Sequence, residues 1–276
     1  MSDARQEILS RLHQLPTLPV VVQEVIASFQ DAGLDTASLA YKITQDQGLS
    51  AKVLRVANSS FYGLSRKVSS IQEAVVVLGF DTVRSLVLSA GMMKVFPIAS
   101  GSLFDRQAYW QHSFRIATIA KALAKHFQQG QQLAFTSGLF CEVGQLVLDL
   151  CIPQQFSAVL QRHADSGLSL LEFERAELGF DHAEMGAELI RLWNFPQEIE
   201  QVVRGWQQPE QSPTFNSLIC LVYMAASVEN GASLEDMKSG LGETACSQMA
   251  AKWELLAAAI PSAGQLEQAA SLALHN

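Results

Sequence analysis

No Cys-x-x-Cys pair occurs among the four cysteines, Cys141, Cys151, Cys220 and Cys246, which stand singly along the chain. That scatter argues against a disulfide frame and fits reduced thiols in a cytosol. Long apolar runs are missing too. The longest strongly apolar stretch, Leu218 to Val228, has 11 residues, against the roughly 17 to 25 that a membrane-crossing helix needs; it reads as a buried helix. The N-terminus, MSDARQEILSRLHQL, mixes both charge signs and lacks an apolar signal core, so no secretory targeting is visible. These absences lead to the expectation of a cytoplasmic protein with no membrane partner.

Positive charge is in short supply, with 19 Lys/Arg against 27 Asp/Glu and a net charge of −8. The deficit is uneven: residues 1–100 carry nine cations and eight carboxylates, the rest ten and nineteen. An acidic field repels phosphate backbones, so sequence-independent nucleic-acid binding is disfavoured and no nucleic-acid partner is expected. Lys52, Arg55, Arg66, Lys67 and Arg84 are the cations that could override it locally. Lys52-x-x-Arg55 puts two of them on one helix face, and Arg66-Lys67 follows in a loop, which makes Lys52, Arg55, Arg66 and Lys67 a candidate anion patch; a solvated face with ordinary ion pairs is the plainer reading.

Catalytic signatures are absent as well. There is no G-x-S-x-G elbow, no G-x-x-x-x-G-K-[ST] phosphate loop and no H-E-x-x-H helix. Proline is scarce, at 8 of 276 residues, and 49% of residues are apolar against 17% charged, with a mean hydropathy of +0.14. Such a chain buries a sizeable core, which excludes disorder and fibre. At roughly 100 to 200 residues per domain, its length allows one large unit or two small ones.

What is present is helical periodicity almost everywhere. In Asp81 to Phe96, Val83, Leu86, Val87 and Ala90 follow the i, i+3, i+4, i+7 spacing of one helix face, with Asp81 as a natural N-cap and Pro97 as a stop. Ser70-x-x-Glu73, Ser169-x-x-Glu172 and Asp181-x-x-Glu184 are capping-box patterns that mark helix starts. Gly33, Gly79, Gly130, Gly167 and Gly179 fall where such runs end. Ala74 to Leu78 (AVVVL) invites a strand assignment, but the capping box before it and Gly79 after it favour a buried helix. Asn58-Ser59 closes another apolar-periodic helix as a cap and turn. The pattern predicts an all-α fold of about a dozen helices. Pro97 to Ser102 is a linker candidate, and beyond Gly231 the chain turns Ala- and Leu-rich.

Several pieces recur in a distinctive order: Leu15-Pro16-Thr17-Leu18-Pro19; Asp46-Gln47-Gly48-Leu49-Ser50-Ala51-Lys52-Val53-Leu54-Arg55-Val56-Ala57-Asn58-Ser59; Ser70-Ile71-Gln72-Glu73-Ala74 leading to Leu78-Gly79; Trp110-Gln111-His112-Ser113; Gly138-Leu139-Phe140-Cys141-Glu142-Val143-Gly144; and Phe180-Asp181-His182-Ala183-Glu184-Met185-Gly186-Ala187 with Trp193 and Pro196. Over about residues 8 to 230 this resembles the HDOD family, bacterial all-helical signalling modules related to HD-domain phosphohydrolases. The resemblance implies a multi-helical HD-like bundle in two abutting parts, residues 1–98 and 102–230, extended by C-terminal helices over 231–276 that pack on the body.

The resemblance also sets up a test for catalysis. An HD phosphohydrolase needs a His, an adjacent His-Asp pair and a distant Asp to hold a hydrolytic ion. His112 stands at the first place, but Cys141-Glu142 replaces the pair, with Val143-Gly144-Gln145 after it where the family reads Ile-Gly-Lys. Gly205-Trp206-Gln207-Gln208-Pro209 stands where a His-His pair would precede a proline, and Ala225 or Ala226 where the terminal Asp would fall. Losing most of the ligand set abolishes such a centre, so the expectation is no metal, no cofactor and no enzymatic activity. His112, Cys141, Glu142 and His182 remain chemically competent ligands, which keeps open a metal-dependent nucleotide or cyclic-nucleotide phosphodiesterase with a rearranged set. Against that, Cys141 between Phe140 and Val143 reads as packing, and Glu142 as a solvated or ion-paired carboxylate.

The function implied is that of a non-catalytic regulatory module in bacterial signal transduction, binding protein partners or a small signalling ligand such as a nucleotide second messenger. The former metal groove near His112, Cys141, Glu142, His182 and Trp206 is the candidate binding surface. The module uses up the chain's length, so an attached receiver, cyclase or phosphodiesterase domain is not expected and input would come from a separate molecule. The sequence leaves the oligomeric state open.

Overall fold

The structure is a computed structural model and describes residues 2–15, 17–29, 36–58, 64, 66–96, 103–127, 129–211, 216–249 and 253–274. Among these, every regular element is helical and no strand occurs. Pro16, Gly33, Ser59 and the linker candidate at Pro97 to Ser102 lie outside the described residues. Helices are shorter and more numerous than the periodicity suggests, because caps and turns break several runs.

The front of the chain forms α1 (Ser2–Leu12), α2 (Val20–Ala27), α3 (Thr36–Gln45), α4 (Gln47–Ala57), α5 (Ile71–Leu78) and α6 (Phe80–Val95). Pro19 precedes α2 with φ −50°, a pre-set lead-in that leaves no unmet donor. Asp46 caps α4 by accepting from the Leu49 N–H at 3.0 Å. Asn58 closes α4 and does more than cap it. Its amide donates to Leu54 O and Val68 O, both at 2.8 Å, and its Oδ1 accepts from Val68 N at 2.7 Å, so it clamps the chain leading to α5 onto the end of α4.

The AVVVL segment is helical: Ser70 Oγ accepts from Glu73 N at 3.1 Å and starts α5. The box is offset by one residue, since Glu73 reaches back to Ser69 N at 2.8 Å rather than to Ser70 N. Gly79, at φ 81°, ends α5 and opens α6, a left-handed position that favours glycine. Asp81 is therefore not the N-cap expected of it. It lies inside the first turn of α6 and pairs with Arg84 at 3.1 Å, where a carboxylate still complements the helix dipole. Gly130 likewise opens a helix instead of ending one.

Next come α7 (Arg106–Ala124), α8 (Gln131–Phe140), α9 (Val143–Cys151), α10 (Pro153–His163), α11 (Leu170–Leu178), α12 (His182–Leu192) and α13 (Gln197–Gly205). After a short 3-10 turn at Pro209–Gln211 follow α14 (Ser217–Glu229), α15 (Leu234–Met249), α16 (Trp253–Ala259) and α17 (Ala263–Leu274). Ser169 and Glu172 form a reciprocal capping box, Gly179 ends α11 at φ 82°, and Asp181 caps α12 through Glu184 N at 2.8 Å. The apolar run at Leu218 to Val228 is the buried helix α14.

Helix α7 is the axis of the molecule, packed against α8, α14 and α17. Trp110, Phe114 and Ala117 on one face enter a core shared with α2 to α6, α8, α9 and α12. Ile116, Ile119, Ala120 and Leu123 enter a second core with α14 and the C-terminal helices. Being buried on two faces explains why α7 shows no single clean apolar stripe. Helices α8 and α9 (Gln131–Cys151) make a 21-residue apolar stretch whose most apolar window is 72% buried inside the molecule. It is the central packing element. Helix α1 lies against α9 and α12, fixed by Arg11 donating to Cys151 O at 2.7 Å.

Candidate functional site

Two backbone contacts bring the sequence-predicted residues into one region. A Cβ on Gly144 would stand 1.7 Å from the His182 carbonyl oxygen, and one on Gly186 would stand 2.9 Å from the Gly144 nitrogen. Helices α9 and α12 therefore touch backbone to backbone, as only glycine permits. This contact carries His182, the first residue of α12, to the turn that holds Cys141 and Glu142 between α8 and α9.

His112 projects from α7 between two carboxylates. Its Nε2 is 3.6 Å from Glu142 Oε2, and its Nδ1 is 3.4 Å from Glu229 Oε1. Glu229 also accepts from Arg115 Nε at 2.5 Å, and Arg115 reaches Glu267 of α17 at 3.6 Å. Glu229 is thus ion-paired through Arg115 and Glu142 faces the His112 ring, the two carboxylate side chains being only 10% and 13% exposed. Glu229 was not foreseen from sequence. It sits at the C-terminal end of α14, one helical turn beyond Ala225, where the distant aspartate of the resembling family was sought.

His182 forms a second, deeper set. Glu174 of α11 accepts from the His182 backbone N–H at 2.8 Å and meets Nδ1 at 2.6 Å, while Nε2 lies 2.8 Å from the Gln207 side-chain nitrogen. Burial alone disfavours the imidazolium, but the Glu174 carboxylate, helped by Glu142 and Asp181, outweighs it and holds His182 above the ordinary histidine value. Neutral His182 with its proton on Nδ1 accepts from Gln207; the doubly protonated ring needs the amide oxygen there. Asp181 is fully buried and pairs with Arg175 at 2.5 Å.

Cys141 and Trp206 belong to the wall of this region. The Cys141 thiol points to Gly138 O at 3.2 Å, and burial followed by the adjacent Glu142 charge pushes its pKa well above the usual thiol range, so no thiolate is on offer. Trp206 donates its ring N–H to Cys141 O at 3.0 Å and is 6% exposed. The side chains expected to line an open groove are therefore mostly buried.

These donors do not fit a metal ion. His112 faces Glu142 and Glu229, His182 faces Glu174 and Gln207, and Cys141 turns away. Among the described residues, no group of three or more His, Cys, Asp or Glu is arranged to hold a metal.

The four basic residues separate into two places. Lys52 shares its surroundings with Arg55 and with Lys94 of α6; burial, then the Lys94 and Arg55 charges, lowers its pKa. Lys94 pairs with Asp46 at 2.8 Å. Arg66 instead pairs with Glu73 at 3.5 Å, with Lys67 exposed next to it.

The chain matches the HDOD domain over residues 15–209. It is similar to the Vibrio cholerae protein named cyclic di-GMP phosphodiesterase CdgJ, with 24% identity over 72% of this chain and 50% of that protein. It is also similar to an uncharacterized protein of Treponema pallidum, with 24% identity over 79% of this chain and 42% of that protein. The chain thus spans half or less of these curated relatives. Among solved structures, a Shewanella amazonensis protein provisionally called a phosphohydrolase superposes with a TM-score of 0.78 at 26% identity, covering 96% of this chain and 97% of that one. An HDOD domain protein of unknown function from Geobacter sulfurreducens shares the fold, with a TM-score of 0.74 at 22% identity and coverage of 93% and 95%. By the family match, with the all-helical fold and motif order that accompany it, this chain is a member of the HDOD family.

Proposed function

We propose that the protein is a non-catalytic signal-transduction module that binds protein partners or a small signalling ligand. One observation carries the reading: each histidine of the would-be metal site is already held by its own carboxylate partners, His112 by Glu142 and Glu229 and His182 by Glu174. Ligands that turn toward a common ion are replaced by side chains that turn toward one another. Removing one member of such a buried contact strands the other, which suits a scaffold better than a reaction centre. Membership of a signalling-associated family supports the same reading. The region that remains reachable is the rim formed by His112 and Arg115, with side chains 24% and 23% exposed, and this rim is the surface a partner would meet.

The second reading is a metal-dependent phosphodiesterase for a nucleotide or cyclic nucleotide, favoured by the name of the Vibrio cholerae relative. Elemental analysis of untagged protein purified without chelator separates the two. The first reading expects no stoichiometric zinc, iron or manganese. Stoichiometric metal that disappears in both His112→Ala and His182→Ala would overturn it.

A further inference from the structure

A cavity of about 290 Å³ opens at the junction of α4, α6, α7, α8 and the C-terminal helices, away from His112 and His182. Its walls are mainly apolar, with Val56, Leu86, Phe114, Phe135, Pro261 and Ala269 prominent. Into this surface α7 sends Lys121, partly buried, its ammonium 6.0 Å from the centre of the Phe135 ring. Lys125, one turn further along α7 and exposed, stands at the edge. Among the described residues neither lysine has a carboxylate within 4.0 Å. Thr82 and Gln131 add polar side chains to the lining, while two other polar groups there are engaged. Thr118 donates to Phe114 O at 2.8 Å, and Ser85 donates to Gln132 at 3.0 Å.

A cation kept beside apolar walls with no carboxylate in direct contact costs free energy, and an anion entering the cavity reduces that cost. The direction of the Lys121 pKa agrees with this: burial lowers it, the Asp81 charge opposes that only in part, and Lys125 lowers it further. The cavity volume lies at the small end for ligand pockets, which favours a small ligand. One ammonium set among mainly apolar walls, with Lys125 only at the exposed edge, matches a ligand with one negative charge and an apolar body.

We propose that this cavity binds a small apolar monocarboxylate, such as a short- or medium-chain aliphatic acid, with the carboxylate on Lys121 and the tail among Leu86, Phe114, Phe135 and Ala269. The ligand would touch the front helices, the axial α7 and the C-terminal segment at once, so its occupancy would tie α17 to the body. The proposal stands apart from the reading of the histidine region and does not depend on it.

Titration calorimetry of the full chain with octanoate, octanol and octylamine tests it. Octanoate is expected to bind at one site per chain, and octanol and octylamine about tenfold more weakly or worse, the ratio that one charge-assisted hydrogen bond supplies. Lys121→Met should reduce octanoate to the octanol level. Ala269→Phe, which fills the cavity, should abolish binding of both. The three-probe comparison on the unmodified chain needs no variant to fold. Absence of octanoate binding, equal affinity for octanoate and octanol, or full octanoate affinity in a folded Lys121→Met protein would each overturn the proposal.

Discussion

His182 Nδ1 lies 2.6 Å from Glu174 Oε2, and the two side chains are 1% and 0% exposed. The same carboxylate oxygen accepts the His182 backbone N–H at 2.8 Å, so one buried group both pairs the imidazole and satisfies the start of α12. Among the described residues Glu174 Oε1 has no hydrogen-bond partner, which leaves the carboxylate dependent on His182. Removing either member strands the other. His182→Ala and Glu174→Ala are each expected to cost about 3–5 kcal/mol in urea unfolding. A loss below about 1 kcal/mol for both would show that the pair is not closed in solution.

The same pair sets a pH dependence. His182 in the folded chain titrates above its ordinary value near 6.5, so folding favours its protonated form. That stabilisation is complete below about pH 6.5 and fades as pH rises through the folded-state value. Unfolding midpoints are therefore expected to fall on the alkaline side of the ordinary histidine range, with Glu174, Asp181 and Glu142 as the groups that hold the proton in place. In His182→Gln this component of the slope should vanish; an unchanged slope would assign it to another group.

Gly144→Ala probes the crossing that assembles the region. A new Cβ would fall 1.7 Å from a backbone carbonyl oxygen, which no side-chain motion relieves. The expected loss exceeds the roughly 1–3 kcal/mol of ordinary overpacking. Far-ultraviolet circular dichroism during thermal melting measures it, and a melting temperature equal to that of the parent would contradict the close contact.

Arg106 and Asp149 form another buried ion pair, with Nε 2.6 Å from Oδ2 and side chains 6% and 1% exposed. Arg106→Met alone should cost about 3–5 kcal/mol, whereas adding Asp149→Leu should recover much of it, because the stranded carboxylate is then gone. A double variant as unstable as the single one would place the cost in packing instead.

The helical fold was legible because its signals are local. Ser70, Ser169 and Asp181 each cap within three residues of themselves, and Pro19 and Gly179 fix dihedral angles on their own. Asp81 misled for the same reason: it looks like a cap, but the left-handed Gly79 had already turned the chain two residues earlier. The site was legible only in part. His112, Glu142 and His182 stood out as residue types in motif positions, and the first two do meet. Glu174 and Glu229, which decide what the histidines do, were invisible because their partners lie 8 and 117 residues away and meet them only through α11 and α14. Cys141 and Trp206 stand in the wall of the region, and sequence carries no sign that the indole N–H is spent on the Cys141 carbonyl.

If the histidines of this region are committed to carboxylate partners, as proposed, the region performs no phosphodiester hydrolysis. Incubating the purified full chain with cyclic di-GMP and added manganese, and separating the products by chromatography, tests it most directly. No conversion beyond the protein-free control is expected. Turnover that is lost in His112→Ala and His182→Ala, with both variants still folded, would contradict it.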